Sequence, residues 1–470
     1  MRTEEHAGHA GRTDDGRPPS DPPDRGRRRD LCAAAGAVLL VATAVLVGAA
    51  LNGDGSLYAG WPPLVAVWEP HGGPGTPAAV ALAVAAVAHG PRVADRLRWP
   101  GLLALTWAVS ASWILALATV DGWRRGFVLK LTSRHEYLAG IEGFSDIGAA
   151  LRTFEDHIVM GRPGNWPTHV AGHPPGATLP FVLLDRVGLG GPVWASFCCV
   201  ALAATAGAAV LIAVRALCGE PLARRAAPFV VLAPGAVWAG VSADGAFAAV
   251  AAWSMALLAV AVTRATRFPR AAAAGSGLVF GLLCYLSYGL PLMGLLLAAV
   301  LVLGGSARPL PLFAAGSLVV PVAFTVAGFH WWEAYPLLVE RYHQGVGGKR
   351  PYGYWVWANL GTATVAAGLA AVAGLRRSLE SARSAVPELR AGRPLGDRQR
   401  LAALALAALL AVVAADLSGM SKAETERIWL PFVLWLLPAA ALLPDRTRRG
   451  WLCAQVVLAL AVNHLLRTSW

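Results

Sequence analysis

Residues 193–214 read VWASFCCVALAATAGAAVLIAV and contain no charged side chain. An α-helix rises about 1.5 Å per residue, so a run of this length reaches across the roughly 30 Å hydrocarbon core of a bilayer. Comparable runs occupy residues 31–51 and 101–120, and the run at 277–303 is long enough for two helices with a tight turn between them. In lipid, a helix satisfies its backbone hydrogen bonds within one segment. These runs therefore predict an all-α, polytopic membrane helix bundle.

The composition agrees with a membrane protein. Hydrophobic residues make up 56% of the chain and charged residues 14%, with a mean hydropathy of +0.52, whereas soluble domains have about 25% charged residues. The net charge of +12 does not indicate nucleic-acid binding, because the chain has no basic, aromatic-laced soluble module. The six cysteines show neither a disulfide framework nor a metal-ligand spacing.

The first 30 residues differ from the rest of the chain. They are rich in Pro, Gly, Arg and Asp without an apolar period, which predicts a disordered cytoplasmic tail for residues 1–30. The apolar run at 31–51 has no small-residue cleavage signature, so we interpret it as a retained signal anchor. Residues 31–470 then form one multi-pass transmembrane domain.

Within that domain the sequence predicts about 13 transmembrane helices. The predicted spans are 31–51, 76–90, 100–120, 191–214, 226–241, 245–263, 272–287, 289–305, 310–330, 354–375, 399–415, 428–443 and 450–466. Alternate connections hold roughly 27 of the 40 Lys and Arg residues, so the positive-inside rule places the N-terminus in the cytoplasm. The segments 121–190, 331–353 and 416–427 are then predicted on the extracellular face of the cell membrane.

The longest outer segment, 121–190, is the predicted catalytic loop, because a minimal bundle needs only short turns. Asp121 directly follows an apolar run, where a carboxylate that faced lipid would be costly. It is either a general base in a wet cavity or an ordinary helix-end cap. Apolar residues at helical spacing predict a surface helix over Ile141–Val159, with Glu155, Asp156 and His157 on its solvated face. Residues 177–189 are too short to cross and predict a surface or re-entrant piece.

The same loop contains the sequence His169-Val-Ala-Gly-His173-Pro-Pro-Gly. Two prolines can open a helix but cannot lie inside one. His173 is therefore predicted at a helix N-terminus, where it can donate to an anionic ligand. A metal pair of His169 and His173 is disfavoured, because Gly172 and the following proline disrupt regular i,i+4 geometry.

Five further polar residues are binding candidates. Asp244 lies at a predicted outer helix junction, and an acidic residue at a membrane edge is a functional candidate by default. The other four are cations of the shorter outer loops: Lys349, Arg350, Lys422 and Arg427. Their position opposes the charge bias, so either a phosphate ligand or carboxylates of the chain should compensate them. For Arg427 the second alternative is a local cluster with Glu424 and Glu426, worth at most about 1 kcal/mol.

Together these features resemble the GT-C superfamily of glycosyltransferases that use polyprenyl-phosphate sugars, closest to the protein O-mannosyltransferase and aminoarabinose-transferase type. The resemblance is carried by Asp121 ending an early helix, the large outer loop, the motif His173-Pro174-Pro175 and the pair Ala243-Asp244. The tract from Lys422 to Arg427 resembles those of actinobacterial membrane proteins of this kind. The family often has adjacent acids after its first core helix, whereas the next acid after Asp121 here is Glu136. Both are therefore candidate bases.

The resemblance implies inverting transfer of a sugar from a polyprenyl-phosphate donor to a glycan, lipid or protein acceptor. Asp121 or Glu136 would deprotonate the acceptor hydroxyl, and Asp244 would bind sugar hydroxyls or an acceptor group. Lys349, Arg350, Lys422 or Arg427 would stabilise the leaving phosphate. The sequence requires no cofactor, and a divalent cation stays open. A transporter or lipid flippase of cell-envelope precursors is the alternative, but it predicts polar residues at mid-membrane and paired half-repeats, which the sequence lacks. A polysaccharide polymerase or ligase would also have long polar outer loops, so it is a third alternative.

Overall fold

The structure, a computed structural model, describes residues 23–468, and the part of the predicted tail at 1–22 lies outside them. The first ten α-helices are α1 (Pro23–Leu51), α2 (Thr76–Arg96), α3 (Trp99–Ala118), α4 (Ile147–Arg152), α5 (Thr168–Gly172), α6 (Leu179–Arg186), α7 (Pro192–Cys218), α8 (Glu220–Val231), α9 (Ala236–Ala239) and α10 (Ala243–Val262). The remaining α-helices are α11 (Pro269–Leu286), α12 (Met293–Gly304), α13 (Leu310–Val326), α14 (Trp331–Gln344), α15 (Val346–Lys349), α16 (Tyr352–Ala367), α17 (Leu369–Arg390), α18 (Asp397–Leu417), α19 (Thr425–Ile428), α20 (Leu430–Val433) and α21 (Asp445–Leu465). Two short strands, β1 (Ala66–Trp68) and β2 (Leu466–Thr468), pair antiparallel with Val67 opposite Arg467.

The structure confirms the all-α polytopic bundle but not the number of 13 spans. Seven of the described helices are long and apolar enough to cross a membrane: α1, α2, α3, α7, α10, α11 and α18. The count rises to nine if two bent pairs each form one span, α13 with α14 at 78° and α16 with α17 at 106°. The predicted spans at 226–241 and 289–305 fall on α8 and α12, which have 12 residues each. Twelve residues cover only about 18 Å, so neither crosses the bilayer alone.

The first helix begins earlier than the sequence predicted. The disordered tail was expected to extend to residue 30, yet α1 begins at Pro23. Asp30 explains the difference, because its buried carboxylate pairs with Arg376 at 2.8 Å and with Arg377 at 2.6 Å. A buried carboxylate requires such partners, and these fix the basic segment before residue 31 against α17.

The polar connections gather at two opposite ends of the bundle. At one end, Arg224 donates to the Leu97 carbonyl at 2.8 Å, and Arg225 pairs with Asp445 at 2.6 Å. We call this the arginine end, formed by residues 94–98, 217–225, 376–398 and 441–448. The other end carries residues 121–190 with residues 52–75, 330–351 and 418–429, and we call it the loop end. Residues 94–98, 217–225, 376–398 and 444–448, which belong to connections predicted to lie inside, therefore meet, while the orientation of the two ends in the membrane stays a prediction.

Glycines bring α11 and α13 unusually close. A Cβ added at Gly277 would lie 1.9 Å from the Phe313 carbonyl oxygen, and one added at Gly281 would lie 2.5 Å from the Ser317 oxygen. From the facing helix, a Cβ at Gly316 would lie 2.2 Å from the Ala274 oxygen. Small residues four apart let membrane helices pack backbone to backbone. Gly277 and Gly281 are such a pair.

This contact yields a test of the packing. Gly277→Leu should separate α11 from α13 and lower the thermal unfolding midpoint of the detergent-purified protein by several degrees, since forced overpacking costs about 1–3 kcal/mol. Gly275→Leu on the same helix is the matched control, because a Cβ there meets Leu257 only at 3.7 Å. Equal midpoints for the two variants would contradict the close packing.

Candidate functional site at the loop end

The loop at 121–190 folds as short pieces rather than as one surface helix. The predicted helix over Ile141–Val159 is wrong: the structure has a 3-10 helix at Tyr137–Phe144, then α4, then a 3-10 turn at Glu155–His157. Asp146 causes the break, because its side chain accepts a hydrogen bond from the Ala149 amide at 3.0 Å and starts α4 anew. The apolar positions are nevertheless buried, among them Phe144, Phe154 and Ile158.

One arginine fixes this loop to α14. Arg341 is buried and donates to the carbonyl oxygens of Ile158 at 3.0 Å and Trp166 at 3.1 Å. From the same helix region, the His330 amide donates to the Glu155 carboxylate at 2.7 Å. Glu155 was predicted to be solvated and is instead half-buried in this contact. These contacts hold residues 155–166 of the loop against α14 and against His330, which precedes that helix.

The N-terminus of α10 brings Asp244 to an arginine. Ser242 caps this helix by accepting a hydrogen bond from the Gly245 amide, and Asp244 follows in the first turn. Its carboxylate pairs with Arg427 at 2.8 Å, and both side chains are buried. Arg427 also contacts Glu424 at 3.3 Å. Of the two carboxylates predicted as the alternative partners of Arg427, Glu424 is thus in contact with it, and Asp244, which was not predicted as a partner, lies closer.

Glu426, the other acid expected beside Arg427, has a different environment. Its side chain is fully buried, and neither carboxyl oxygen has a hydrogen-bond partner among the described residues. Burial raises its pKa to about 7. Glu424 rather than Glu426 therefore neutralises Arg427 locally.

Glu136 lies in the same neighbourhood. It is buried just before the 3-10 helix at Tyr137–Phe144, and its Oε2 is 3.0 Å from Nδ1 of His169. Burial alone raises the pKa of this carboxyl, but the hydrogen bond and charge of His169, together with the charge of Arg427, outweigh burial and hold the pKa below its usual value. Glu136 is therefore an ionised carboxylate in a mostly dry setting.

His173 acts differently from the sequence-based prediction. Its Nδ1 is 2.8 Å from the His169 carbonyl oxygen; since a carbonyl only accepts, Nδ1 carries the proton. Desolvation lowers the pKa of His173 to about 4, with Asp244 opposing and His169 adding to the shift. The neutral ring then presents Nε2 as an acceptor. His173 is thus suited to accept a hydrogen bond from a hydroxyl, whereas the sequence predicted a donor to an anionic ligand.

Asp121 belongs to a second charged group. Its carboxylate lies 3.0 Å from His71, 3.6 Å from Lys130 and 3.7 Å from Arg467, where the end of α3 meets the β1–β2 pair. Within residues 23–468 it shares no ion-pair partner with Glu136. Its side chain is engaged by these cations and not in capping α3. Desolvation lowers the pKa of Lys130, although Asp121 opposes the shift.

His71, Lys130 and Arg467 were not among the residues predicted from the sequence. A carboxylate at a membrane edge needs compensation, which was a signal that cations should lie near Asp121. These partners of Asp121 come together beside two strands of three residues each, where residues 66–68 pair with residues 466–468. Elements this short leave no recognisable alternation in the sequence.

Two of the three remaining predicted cations connect loops at this end. Arg350 donates to the carbonyl oxygens of Lys422 at 2.7 Å and Tyr58 at 3.1 Å, and pairs with Glu424 at 3.3 Å. Lys422 donates to the Gly347 carbonyl at 3.1 Å. Lys349 is exposed to solvent. Glu424 therefore connects Arg350 to Arg427, whereas Lys349 takes no part in these contacts.

Within residues 23–468 no group of three His, Cys, Asp or Glu side chains is arranged to bind a metal ion. Asp244 is engaged by Arg427, Nδ1 of His169 faces Glu136, and Nδ1 of His173 donates to the His169 carbonyl. What the group offers is a buried base, an oriented cation and a neutral acceptor, which suits proton abstraction next to an anionic leaving group.

Comparisons with known proteins give limited information. No protein-family model matches the sequence, and no curated protein matches it significantly. Similar solved structures include crystal structures of the Archaeoglobus fulgidus oligosaccharyltransferase in the apo form and in complex with Zn and sulfate, each 14% identical, with TM-scores of 0.46 and 0.44. They cover 79% and 78% of this chain, which spans 57% and 53% of theirs. The function proposed below therefore rests on the side chains of this protein.

The pair of Asp244 and Arg427 yields a stability prediction. Asp244→Asn leaves a buried guanidinium with one carboxylate fewer, so it should lower the free energy of unfolding by about 3 kcal/mol. Asp445→Asn is the control: its carboxylate pairs with Arg225 but is 70% exposed, so the loss should stay below about 1 kcal/mol. Thermal unfolding in detergent measures both. Equal losses would mean that the pair with Arg427 is not buried.

His173 yields a prediction about pH. In the unfolded chain a histidine takes up a proton below about pH 6.5, whereas folded His173 does so only near pH 4. Acidification from pH 7 to pH 5 therefore favours unfolding. The unfolding midpoint of His173→Gln should fall less over this range than that of the native protein, while His343→Gln, a change at an exposed histidine, should behave like the native protein. A parallel fall in all three would refute the neutral state of His173 in the folded protein.

Proposed function

We propose that the protein is a membrane glycosyltransferase of the GT-C kind. It transfers a sugar from a polyprenyl-phosphate donor to a hydroxyl of a glycan, lipid or protein acceptor. The reaction takes place at the loop end, which the arginine distribution assigns to the extracellular face of the cell membrane. In this account Glu136 is the catalytic base.

One observation carries the proposal. Glu136 is buried beside the membrane-spanning helices, yet His169 and Arg427 keep it ionised. A carboxylate that stays ionised at a fixed position can take the proton of a bound hydroxyl as the bond to the sugar forms. Since His169 contacts Oε2, the other oxygen, Oε1, is available for the acceptor hydroxyl.

Asp121, the other candidate base, fits this role less well. His71, Lys130 and Arg467 approach its carboxylate, so removing a proton from an acceptor would require displacing at least one of them. Its contacts instead join the end of α3 to β1 and β2. We therefore assign Asp121 a structural role in supporting the loop end.

The proposed reaction is a single displacement with inversion. Glu136 takes the proton from the acceptor hydroxyl as the hydroxyl oxygen bonds to the anomeric carbon of the sugar. The bond between that carbon and the phosphate oxygen breaks, and its electron pair leaves with polyprenyl phosphate. A positioned base contributes about 10²–10⁴ to such a rate.

Arg427 and His173 complete the proposed site. Negative charge grows on the departing phosphate, and an oriented cation in a dry site stabilises it. Asp244 and Glu424 hold Arg427 in place, and its charge already acts on Glu136. Lys422 and Arg350 hold loops together, and Lys349 is exposed, so Arg427 is the better candidate for this role. The neutral His173 accepts a hydrogen bond from a sugar hydroxyl, and Asp244 borders the sugar.

The two carboxylates can be separated by experiment. Glu136→Gln should lower turnover by about 10² or more with little change in donor binding, because the base acts in the transition state. Asp121→Asn should lower the unfolding midpoint but reduce turnover less than tenfold in the folded fraction. Transfer of sugar from a polyprenyl-phosphate donor by the purified protein in detergent is the assay.

Two results would overturn the assignment. If Asp121→Asn abolishes turnover while Glu136→Gln retains it, the roles of the two carboxylates are reversed. If the native protein transfers no sugar from any of a panel of polyprenyl-phosphate donors but moves such lipids across a vesicle bilayer, the protein is a flippase.

A further inference from the structure

A charged cavity lies at the arginine end, away from the candidate functional site at the loop end. It has a volume of about 540 Å³, and its lining includes four guanidinium groups and one carboxylate. These belong to Arg225, Arg377, Arg398, Arg446 and Asp445. The apolar segment Leu442–Pro444 forms another part of the wall. Neither the proposed base nor its partners contribute to it.

Positive charge exceeds negative charge in this cavity. Asp445 pairs with Arg225 at 2.6 Å, and Asp30 pairs with Arg377 at 2.6 Å. Arg398 donates to the Leu442 carbonyl at 3.1 Å and has no carboxylate partner within residues 23–468. The same holds for the exposed Arg446 in this part of the chain. Two guanidinium groups therefore face the cavity without an anion of the chain.

An exposed apolar face lies on the opposite side of α17 from Arg377. Beyond Arg377, helix α17 exposes Leu379, Val386 and Leu389. At 100° per residue these three positions lie within one face of the helix. An arginine-rich helix with such a face is typical of segments that lie in the membrane interface. The cavity therefore opens where lipid headgroups are found.

We propose that this cavity binds the phosphate of an anionic phospholipid from the leaflet at the arginine end. Guanidinium groups bind phosphate oxygens in a bidentate fork, and basic pockets between membrane helices bind lipid headgroups. A soluble phosphate would satisfy the arginines equally well, but a helix held in the interface by its apolar face is surrounded by lipid phosphates. The ligand chemistry is thus a phosphate ester, and the interfacial position of α17 makes the lipid its source. This site is independent of the proposed glycosyltransferase reaction.

Native mass spectrometry of the full-length protein in a mild detergent tests the site. Titration with phosphatidylglycerol should give one saturable bound lipid, and phosphatidylcholine should not bind at the same concentration. The double variant Arg398→Gln and Arg446→Gln should weaken phosphatidylglycerol binding by about tenfold per arginine, since each lost charge-assisted hydrogen bond costs about 1.5 kcal/mol. Inorganic phosphate at equal concentration should not displace the lipid.

The matched control is Arg267→Gln with Arg270→Gln, which removes the same charge from two exposed arginines outside the cavity. It should bind phosphatidylglycerol like the native protein. Because Arg446 is exposed, Arg446→Gln alone provides a folded variant that should still bind about tenfold more weakly. Equal binding of both lipids, equal weakening in the control, or displacement by inorganic phosphate would each refute the lipid site.

Discussion

The ion pair between Arg427 and Asp244 is the contact on which the loop end depends. It joins α10 to the segment that precedes α20, in a place where both charges are buried. Two charges removed from water are tolerated only when they are paired and oriented. Glu424 extends the pair to Arg350, and Arg350 in turn reaches the Tyr58 carbonyl. Four separate parts of the chain are therefore linked through Arg427 and Arg350.

This constraint sets the chemistry of the neighbouring acid. Because Arg427 is fixed by its partners, its charge acts on Glu136 together with that of His169. Glu136 can then be both buried and ionised, because without these neighbouring charges burial would favour its protonated form. Asp121 shows the contrast, since three cationic or potentially cationic side chains surround it. Among the described residues Glu136 has one ion-pair partner, His169, whereas Asp121 has three.

The long apolar runs predicted the helical bundle because length and hydrophobicity alone decide whether a helix suits the membrane. The short elements could not be predicted in this way. Helices such as α8 and α12 are apolar yet only 12 residues long. The apolar positions at helical spacing over Ile141–Val159 gave no indication that a new helix begins after Asp146. The sequence did identify Glu136, His169, His173, Asp244 and Arg427 as candidates. It could not group them, because their contacts join distant parts of the chain, and for the same reason it missed the partners of Asp121.

The most direct test of the central claim is a cryo-electron microscopy structure of the Glu136→Gln variant with a polyprenyl-phosphate sugar donor bound. The account predicts that the anomeric carbon lies beside the side chain of residue 136, with the phosphate near Arg427. A donor whose anomeric carbon lies instead beside Asp121, or whose phosphate is held by Lys130 and Arg467, would contradict it.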